Sequence, residues 1–299
     1  MKALYEIAGL SKQALWKYRR REQQKVVVTE QVIKQIYQIR KHHKRMGCRS
    51  MYYAATRPLP VGRDVFEQIG FAHGFKLKRK RSMTRTTWSQ RVEVYPNLIE
   101  GKVLDSINQV WQSDIFYLPI DQQHFYGVTI EDVYSRELLS LHLSTRLTAD
   151  KVAICFKKAL RARRGTCIKG CIFHSDRGSQ YISTKHKQLL KANDMKISMG
   201  KLPQENAYVE RLQGTLKHQY FSELGVTPIN LQSMTRKIIG YYNNERPHRN
   251  LKMTTPSAFA AQTQKQPKSK RPKEKIHEGF TTDLSKKETK KLINDDVEK

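Results

Sequence analysis

The sequence predicts an α/β fold: a mixed sheet of three antiparallel strands followed by α/β crossovers, preceded by a small helical region. Three observations predict it. Segments 109–118, 124–132 and 136–144 are rich in aromatic and β-branched residues and are joined by short connections, as antiparallel neighbours are. Beyond them, helical and strand patterns alternate, as they do where helical crossovers bring strands alongside one another. Ahead of them, residues 1–100 combine helical spacing with 22 basic against 7 acidic side chains.

Residues 1–21 read as helix, turn, helix. Leu4, Ile7 and Ala8 form an apolar stripe, Gly9 permits a turn, and Ser11 is placed to cap a helix bearing Ala14, Leu15 and Tyr18. This is the layout of a helix-turn-helix whose second helix ends in Arg19, Arg20 and Arg21; an ordinary helical hairpin is the alternative. Helical spacing returns at 29–42, through Ile33, Ile36, Tyr37 and Arg40, and again at 64–73. His42, His43 and Cys48 cluster without the further cysteines of a zinc site, and read as surface residues on a basic helix end. Arg79, Lys80 and Arg81 close this region, and residues 82–107 read as a linker with little periodicity.

The first strand, QVWQSDIFYL, is followed by HFYGVTIED and RELLSLHLS. A helix at 149–163 places Val152, Cys155, Phe156, Ala159 and Leu160 on one face, with Thr148 at its cap position. A strand at 168–174, a helix near 184–192, a strand at 195–199 and a long helix from about 206 to 221 complete the alternation; a helix at 231–243 follows. Past 264 the Lys- and Pro-rich sequence lacks a core-forming pattern and reads as a disordered basic tail. The expected organisation is therefore a basic helical, helix-turn-helix-like DNA-binding region at 1–81, a linker at 82–107, an α/β core at 108–262 and a basic tail at 263–299.

The whole chain of 299 residues carries 56 Lys and Arg against 27 Asp and Glu, a net charge of +29. Such an excess implies a polyanionic partner, because each cation set against a phosphate releases a condensed counterion. The four cysteines form no C-x-x-C pair, so a disulfide framework is not expected and a reducing compartment is. No apolar run reaches the ~18 residues of a membrane span, and the N-terminus lacks a signal-peptide core. The expectation is a cytoplasmic, nucleoid-associated protein.

Three carboxylates stand in contexts that call for a function. Asp114 lies within the first strand among Trp111, Ile115, Phe116 and Tyr117, where an unpaired charge is costly to bury. Asp176 follows an apolar strand, at the strand end where α/β sheets place ligands. Glu210 lies in the first turns of the long helix. One sheet and one following helix can bring all three together, and an oxygen-rich set suits Mg2+ or Mn2+. Two such ions ~3.5–4 Å apart can serve a phosphodiester displacement.

The strings WQSDIFYLPI, FHSDRGSQYIS and NAYVERLQGTLKHQ, followed by YNNERPHRNLKMTTPSAF, resemble the insertion-element transposases with a retroviral-integrase-like core. The similarity is greatest to the bacterial group whose elements encode a small helper and a catalytic subunit in two overlapping frames. It covers roughly 1–262, closely from 108 and loosely before. It implies a ribonuclease-H-like fold, a D-D-E triad at Asp114, Asp176 and Glu210, and two divalent ions. Asp176 and Glu210 are separated by 33 residues, slightly fewer than is usual in the group, and the shortening falls in the loop 200–205.

Lys217 follows Glu210 by seven positions, nearly two helical turns, so both lie on one face about 10 Å apart. In retroviral integrases a lysine so spaced holds the DNA end; a solvated helix lysine is the alternative. Arg177 is a DNA contact or a partner of nearby acids, and Arg246 and His248 support DNA or pack the last helix. His174 reads as structural or supporting. Asp132 reads as supporting or as a turn acceptor for Ser135 and Arg136.

The resemblance implies hydrolysis of a phosphodiester at the element end, then attack by the freed 3′-OH on a second phosphodiester, without a covalent protein–DNA intermediate. Double-stranded DNA, a homo-oligomer on DNA and a helper subunit are the implied partners. A ribonuclease-H-like nuclease that does not join strands, and a non-enzymatic DNA-binding repressor, are the rival readings.

Overall fold

The structure, a computed structural model, describes residues 11–77, 95–201 and 203–276. The chain opens with helix α1 (Lys12–His42), capped by Ser11, whose Oγ accepts from the Ala14 amide at 3.1 Å. The two helices expected at 11–21 and 29–42 are thus one. No Gly or Pro interrupts the stretch, and Arg21 to Lys25 are strong helix formers, so nothing stops propagation. Gly9 and the helix expected before it lie outside the described residues, as do Arg79, Lys80 and Arg81. Helices α2 (Cys48–Ala54) and α3 (Arg63–Ala72) pack on the C-terminal half of α1 around Val32, Ile36, Met46, Met51 and Phe66.

His42, His43 and Cys48 are not a surface cluster. Cys48 is buried in this small core, and His43 is buried where α1 meets the sheet domain. His43 pairs through Nδ1 with the Tyr220 hydroxyl at 3.0 Å and through Nε2 with Glu245 at 3.2 Å. His42 stacks on Tyr241. Sequence spacing cannot show that a basic helix end is covered by a distant part of the chain.

The sheet comprises β2 (Val110–Ile120), β3 (Gln123–Asp132), β4 (Leu138–Ser144), β5 (Ile172–Ser175) and β6 (Lys196–Met199), after a short β1 (Val103–Leu104) outside it. Its spatial order is β4-β3-β2-β5-β6. The first three strands pair antiparallel; β5 joins β2, and β6 joins β5, in parallel. Helices α4 (Ala149–Ala162) and α5 (Thr184–Ala192) make the crossovers. The expected mixed sheet is present. Thr148 occupies the cap position of α4 without a side-chain bond.

Alternation along β2 sorts its side chains into two cores. Trp111 faces α4 and α5, with Val128, Ile130, Phe156 and Phe173. Phe116, Leu118 and Ile120 face helix α6 (Ala207–Thr215), its π-helical continuation Leu216–Phe221, and helix α7 (Leu231–Gly240). Asp114 shares the latter parity and so points towards α6.

The expected linker and tail are partly ordered. Helix α8 (Pro256–Gln264) is followed by strand β7 (Glu274–Lys275), which pairs antiparallel with β1. Ile276 is buried with Ile99, Leu104, Val110 and Val133. A Lys- and Pro-rich segment can be ordered by tertiary contacts that its local composition does not announce. Residues 277–299 lie outside the described residues.

Candidate active site

Strand register brings Asp114 and Asp176 together. Gln112 of β2 pairs with His174 of β5 in parallel. Continuing that register by two residues leads to Asp114, still within β2, and to Asp176, just past the end of β5, and the charge of Asp176 acts on Asp114. Asp114 is half-buried, whereas Asp176 sits at the rim with its outer surface exposed. The pKa of Asp114 is raised to about 7, first by burial, then by the charge of Asp176, with a smaller push from Glu210. The Ile115 amide, donating to Oδ1 at 2.8 Å, and Gln213 oppose this rise. Burial also raises Asp176, against a 3.0 Å bond from the Gly178 amide. Despite its exposed rim, Asp176 has enough protein behind it to disfavour its charged form.

Glu210 is exposed on α6, and its field reaches Asp114. Helix α6 is fixed to the sheet by polar contacts: Gln112 Oε1 accepts from the Val209 amide at 3.3 Å, and Asn206 Nδ2 donates to the Ser113 carbonyl at 3.2 Å. Among the described residues, no three His, Cys, Asp or Glu side chains stand close enough to enclose an ion between them. Still, a buried carboxylate whose charged form is disfavoured by two neighbouring carboxylates belongs to an all-oxygen set suited to hard divalent cations.

Lys217 enters this space differently from the expected regular helix. The π-helical segment begins at Leu216, so the rotation from Glu210 departs from that of an α-helix. Lys217 lies half-buried with Nζ 5.2 Å from the centre of the Phe116 ring. Burial lowers its pKa, while the charge of Asp114 opposes the shift. It is therefore a cation beside Asp114 rather than a freely solvated lysine. Arg177, next to Asp176, is half-buried.

The other basic candidates lie elsewhere. Arg19, Arg20 and Arg21 are exposed on α1. His248 packs edge-on against Tyr242, and its pKa is lowered to about 3 by burial and by Arg246 and Arg136. Arg246 is half-buried nearby.

His174 is fully buried and bonds Ser198 Oγ through Nδ1 at 2.9 Å; burial lowers its pKa to about 4, so it is a neutral spacer beneath the site. Asp132 accepts from the amides of Asn108, Tyr134 and Ser135 at 2.7, 3.1 and 2.9 Å, which settles it as the acceptor of a turn.

Sequence reasoning missed Gln213 and Tyr181. Gln213 donates to Thr129 Oγ1 at 3.2 Å and reaches Asp114, and Thr129 is the cross-strand partner of Asp114. The signal was its place one helical turn after Glu210. Tyr181 is buried, bonds Ser113 Oγ at 2.9 Å, and feels the charges of Asp176 and Asp114. Its signal was the string HSDRGSQY.

A five-stranded sheet of this order, with acidic side chains gathered where β2 and β5 run together beneath α6, defines the ribonuclease-H-like class. Residues 105–202 match the family Integrase core domain, and residues 193–256 match a second family of the same description. An uncharacterized 31 kDa protein of insertion element IS600 from Shigella sonnei is 31% identical over 211 residues, 69% of this chain and 77% of that protein. The transposase for IS904 from Lactococcus lactis is 30% identical over 51% of this chain and 61% of its own length. The transposase for IS629 from Shigella sonnei is 26% identical over 72% of this chain and 74% of its own length. The chain belongs to the insertion-element transposases built on an integrase core domain. Among solved structures it is similar to the HTLV-2 integrase catalytic core domain in complex with magnesium, at 16% identity and a TM-score of 0.43, over 51% of this chain and 95% of that one. No helix among the described residues is long and apolar enough to cross a membrane.

Proposed function

We propose that this chain is a catalytic DNA transposase that cuts and rejoins DNA at the ends of an insertion element, with Asp114, Asp176 and Glu210 as its catalytic carboxylates. The observation that carries the reading is the confrontation of Asp114 and Asp176 across parallel strands within an integrase core, where the field of one raises the pKa of the other. A cation beside two carboxylates so placed favours their charged forms.

The three side chains would hold divalent ions, Mg2+ or Mn2+, as a pair. Bound there, the ions supply charge neutralisation at a phosphodiester and make an attacking oxygen more acidic. The protein's own contribution is positioning. Gln213 and the Ile115 amide hold the Asp114 carboxylate, the Gly178 amide holds Asp176, and α6 presents Glu210. Lys217 and Arg177 flank the carboxylates and supply positive charge to a phosphate brought there. Positioning and fixed charge are the main contributions a protein makes to phosphoryl transfer.

Residues 1–81 are the DNA-binding region in this reading, with Arg19, Arg20 and Arg21 on an exposed helix and Arg79, Lys80 and Arg81 beyond it. Arg246 and His248 belong to the segment that closes the core at 262. Joining two element ends calls for an assembly of copies on DNA, and a helper subunit from an overlapping frame is a further proposed partner. The net charge of +29 supports the polyanionic partner.

The test is a cleavage and joining assay on labelled element-end DNA with Mg2+ or Mn2+, comparing wild type with Asp176→Asn. Joined products that vanish in the variant, while DNA binding persists, are expected. Cleavage without joining would replace the reading with a nuclease. Binding without chemistry, unchanged by added helper, would leave a DNA-binding protein.

A further inference from the structure

Arg136 stands at a junction of three chain segments. It lies in the turn after β3, at φ 59°, with its amide donating to the Asp132 carbonyl at 2.8 Å. Its side chain is buried. The guanidinium covers the ring of Tyr208, with Cζ 4.1 Å from the ring centre, and Nη2 donates to Glu274 Oε1 at 2.5 Å. Tyr208 is the second residue of α6, two before Glu210. Glu274 is in β7. Arg136 therefore links the end of the described chain to the first turn of the helix that carries Glu210.

The segment bearing Glu274 is itself firmly held. Ile276 donates to the Lys102 carbonyl at 2.9 Å, the Tyr134 hydroxyl donates to the Pro272 carbonyl at 2.9 Å, and Arg271 Nη1 donates to Ser106 Oγ at 2.7 Å. Residues 271–276 thus form a strap, anchored at both ends and aimed at one guanidinium. On the sheet side, α6 is held by Gln112 and Asn206; the strap completes the hold from the opposite direction. A stacked, paired arginine is suited to this role because its planar group meets an aromatic face and a carboxylate at once. The carboxylate of Glu131 also acts on Arg136, but it is fixed in β3 and cannot report on the strap.

We propose that the strap at 271–276 positions Glu210, with Glu274 acting through Arg136 and Tyr208 on the first turn of α6. The proposal rests on the reading of Glu210 as the third catalytic carboxylate. Glu274, Arg136 and Tyr208 are positioning residues, since none of them stands among the three carboxylates.

The experiment uses the full chain and two readouts. Hydrogen exchange at 207–211 reports the order of the first turn of α6 without any chemistry. Steady-state cleavage of element-end DNA separates kcat from KM. Glu274→Ala is expected to speed exchange at 207–211 with β2 and β3 unchanged, and to lower kcat about tenfold at constant KM, a loss of roughly 1.4 kcal/mol in the barrier term. Glu274→Gln, which keeps an acceptor for Arg136, is expected to fall between wild type and Glu274→Ala in both readouts. Faster exchange confined to 271–276 with kcat unchanged would overturn the proposal. So would faster exchange spread across the whole sheet, which is general loss of stability. A wild type that neither cuts nor joins would remove the functional reading, while the exchange readout would still decide whether the strap orders α6.

Discussion

At the scale of single residues, Asp114 carries the most consequence. Its pKa of about 7 lies well above the ~3.9 of an unfolded aspartate. Between those values the folded chain binds more protons at this site than the unfolded chain, so this site's contribution to stability falls as pH rises from about 4 to about 7. Asp114→Asn removes the titration. With chelator present, urea unfolding from pH 4.5 to 7.5 is expected to show the variant gaining on wild type as pH rises. His43, His142, His174 and His186 have pKa values lowered to about 4 by burial, and His248 to about 3, so their contributions are lost as pH falls. They titrate alike in both proteins and cancel in the comparison. A difference that stays flat with pH would mean that Asp114 is not held against its charged form. Gln213 gives a second expectation at this scale. Gln213→Leu removes the amide that reaches Asp114 and leaves Thr129 Oγ1 without that donor, so cleavage is expected to fall about 10–100-fold, with DNA affinity retained; equal losses in both would place Gln213 in DNA binding instead.

At the scale of elements, β2 and β3 show how closely the site depends on strand packing. Gly127 is the cross-strand partner of Phe116, and a Cβ at 127 would lie 2.3 Å from the Phe116 ring. That ring is also the surface under Lys217. Gly127→Ala is expected to push Phe116 aside and cost about 1–3 kcal/mol of stability by overpacking. Denaturant midpoints and cleavage rates should both fall; an unchanged midpoint would show that the ring has room to move. The strands themselves were readable because their aromatic and β-branched runs and short connections agree with their place in the sheet. The carboxylates were readable because Asp114 interrupts an apolar strand and Asp176 ends one. The continuity of α1 was obscured by its polar middle, where a helix-turn-helix layout and an unbroken helix share the same residue types. Residues 265–276 were obscured because their order comes from Arg136, Tyr134 and Lys102, more than a hundred residues away in sequence. Gln213 and Tyr181 look ordinary in one dimension, since polar side chains at helical spacing acquire a role only when the sheet is assembled beneath them.

At the scale of the whole molecule, two units with separate apolar cores are joined by a polar seam. Val32, Ile36, Met51 and Phe66 stabilise the helical unit, and the sheet has its own cores on both faces. Between them, one oxygen of Glu245 meets His42 Nδ1 at 2.9 Å and His43 Nε2 at 3.2 Å, while the Tyr220 hydroxyl bonds His43 Nδ1. A cleft of about 480 Å³, lined by Gln38, His42, Tyr53 and Glu245 among others, runs beside these contacts. The seam sets where α1 points, and Arg21 lies about 30 Å along that helix from His42 at 1.5 Å per residue. A small rotation at the histidines is therefore a large displacement at the arginines. Tyr220→Phe removes one hydroxyl and leaves a buried histidine nitrogen without its partner, a cost of about 1–3 kcal/mol. Because each unit keeps its own core, that cost is expected to fall on the coupling between them: calorimetry should resolve the unfolding of wild type as one transition and that of Tyr220→Phe as two, with the helical unit melting first. DNA binding should keep its salt dependence, since no cation is lost, while cleavage loses precision of position on element-end DNA as α1 loses its fixed direction. A single transition shifted down as a whole would show instead that the two units unfold as one body, and that the histidines contribute to stability without setting the direction of α1.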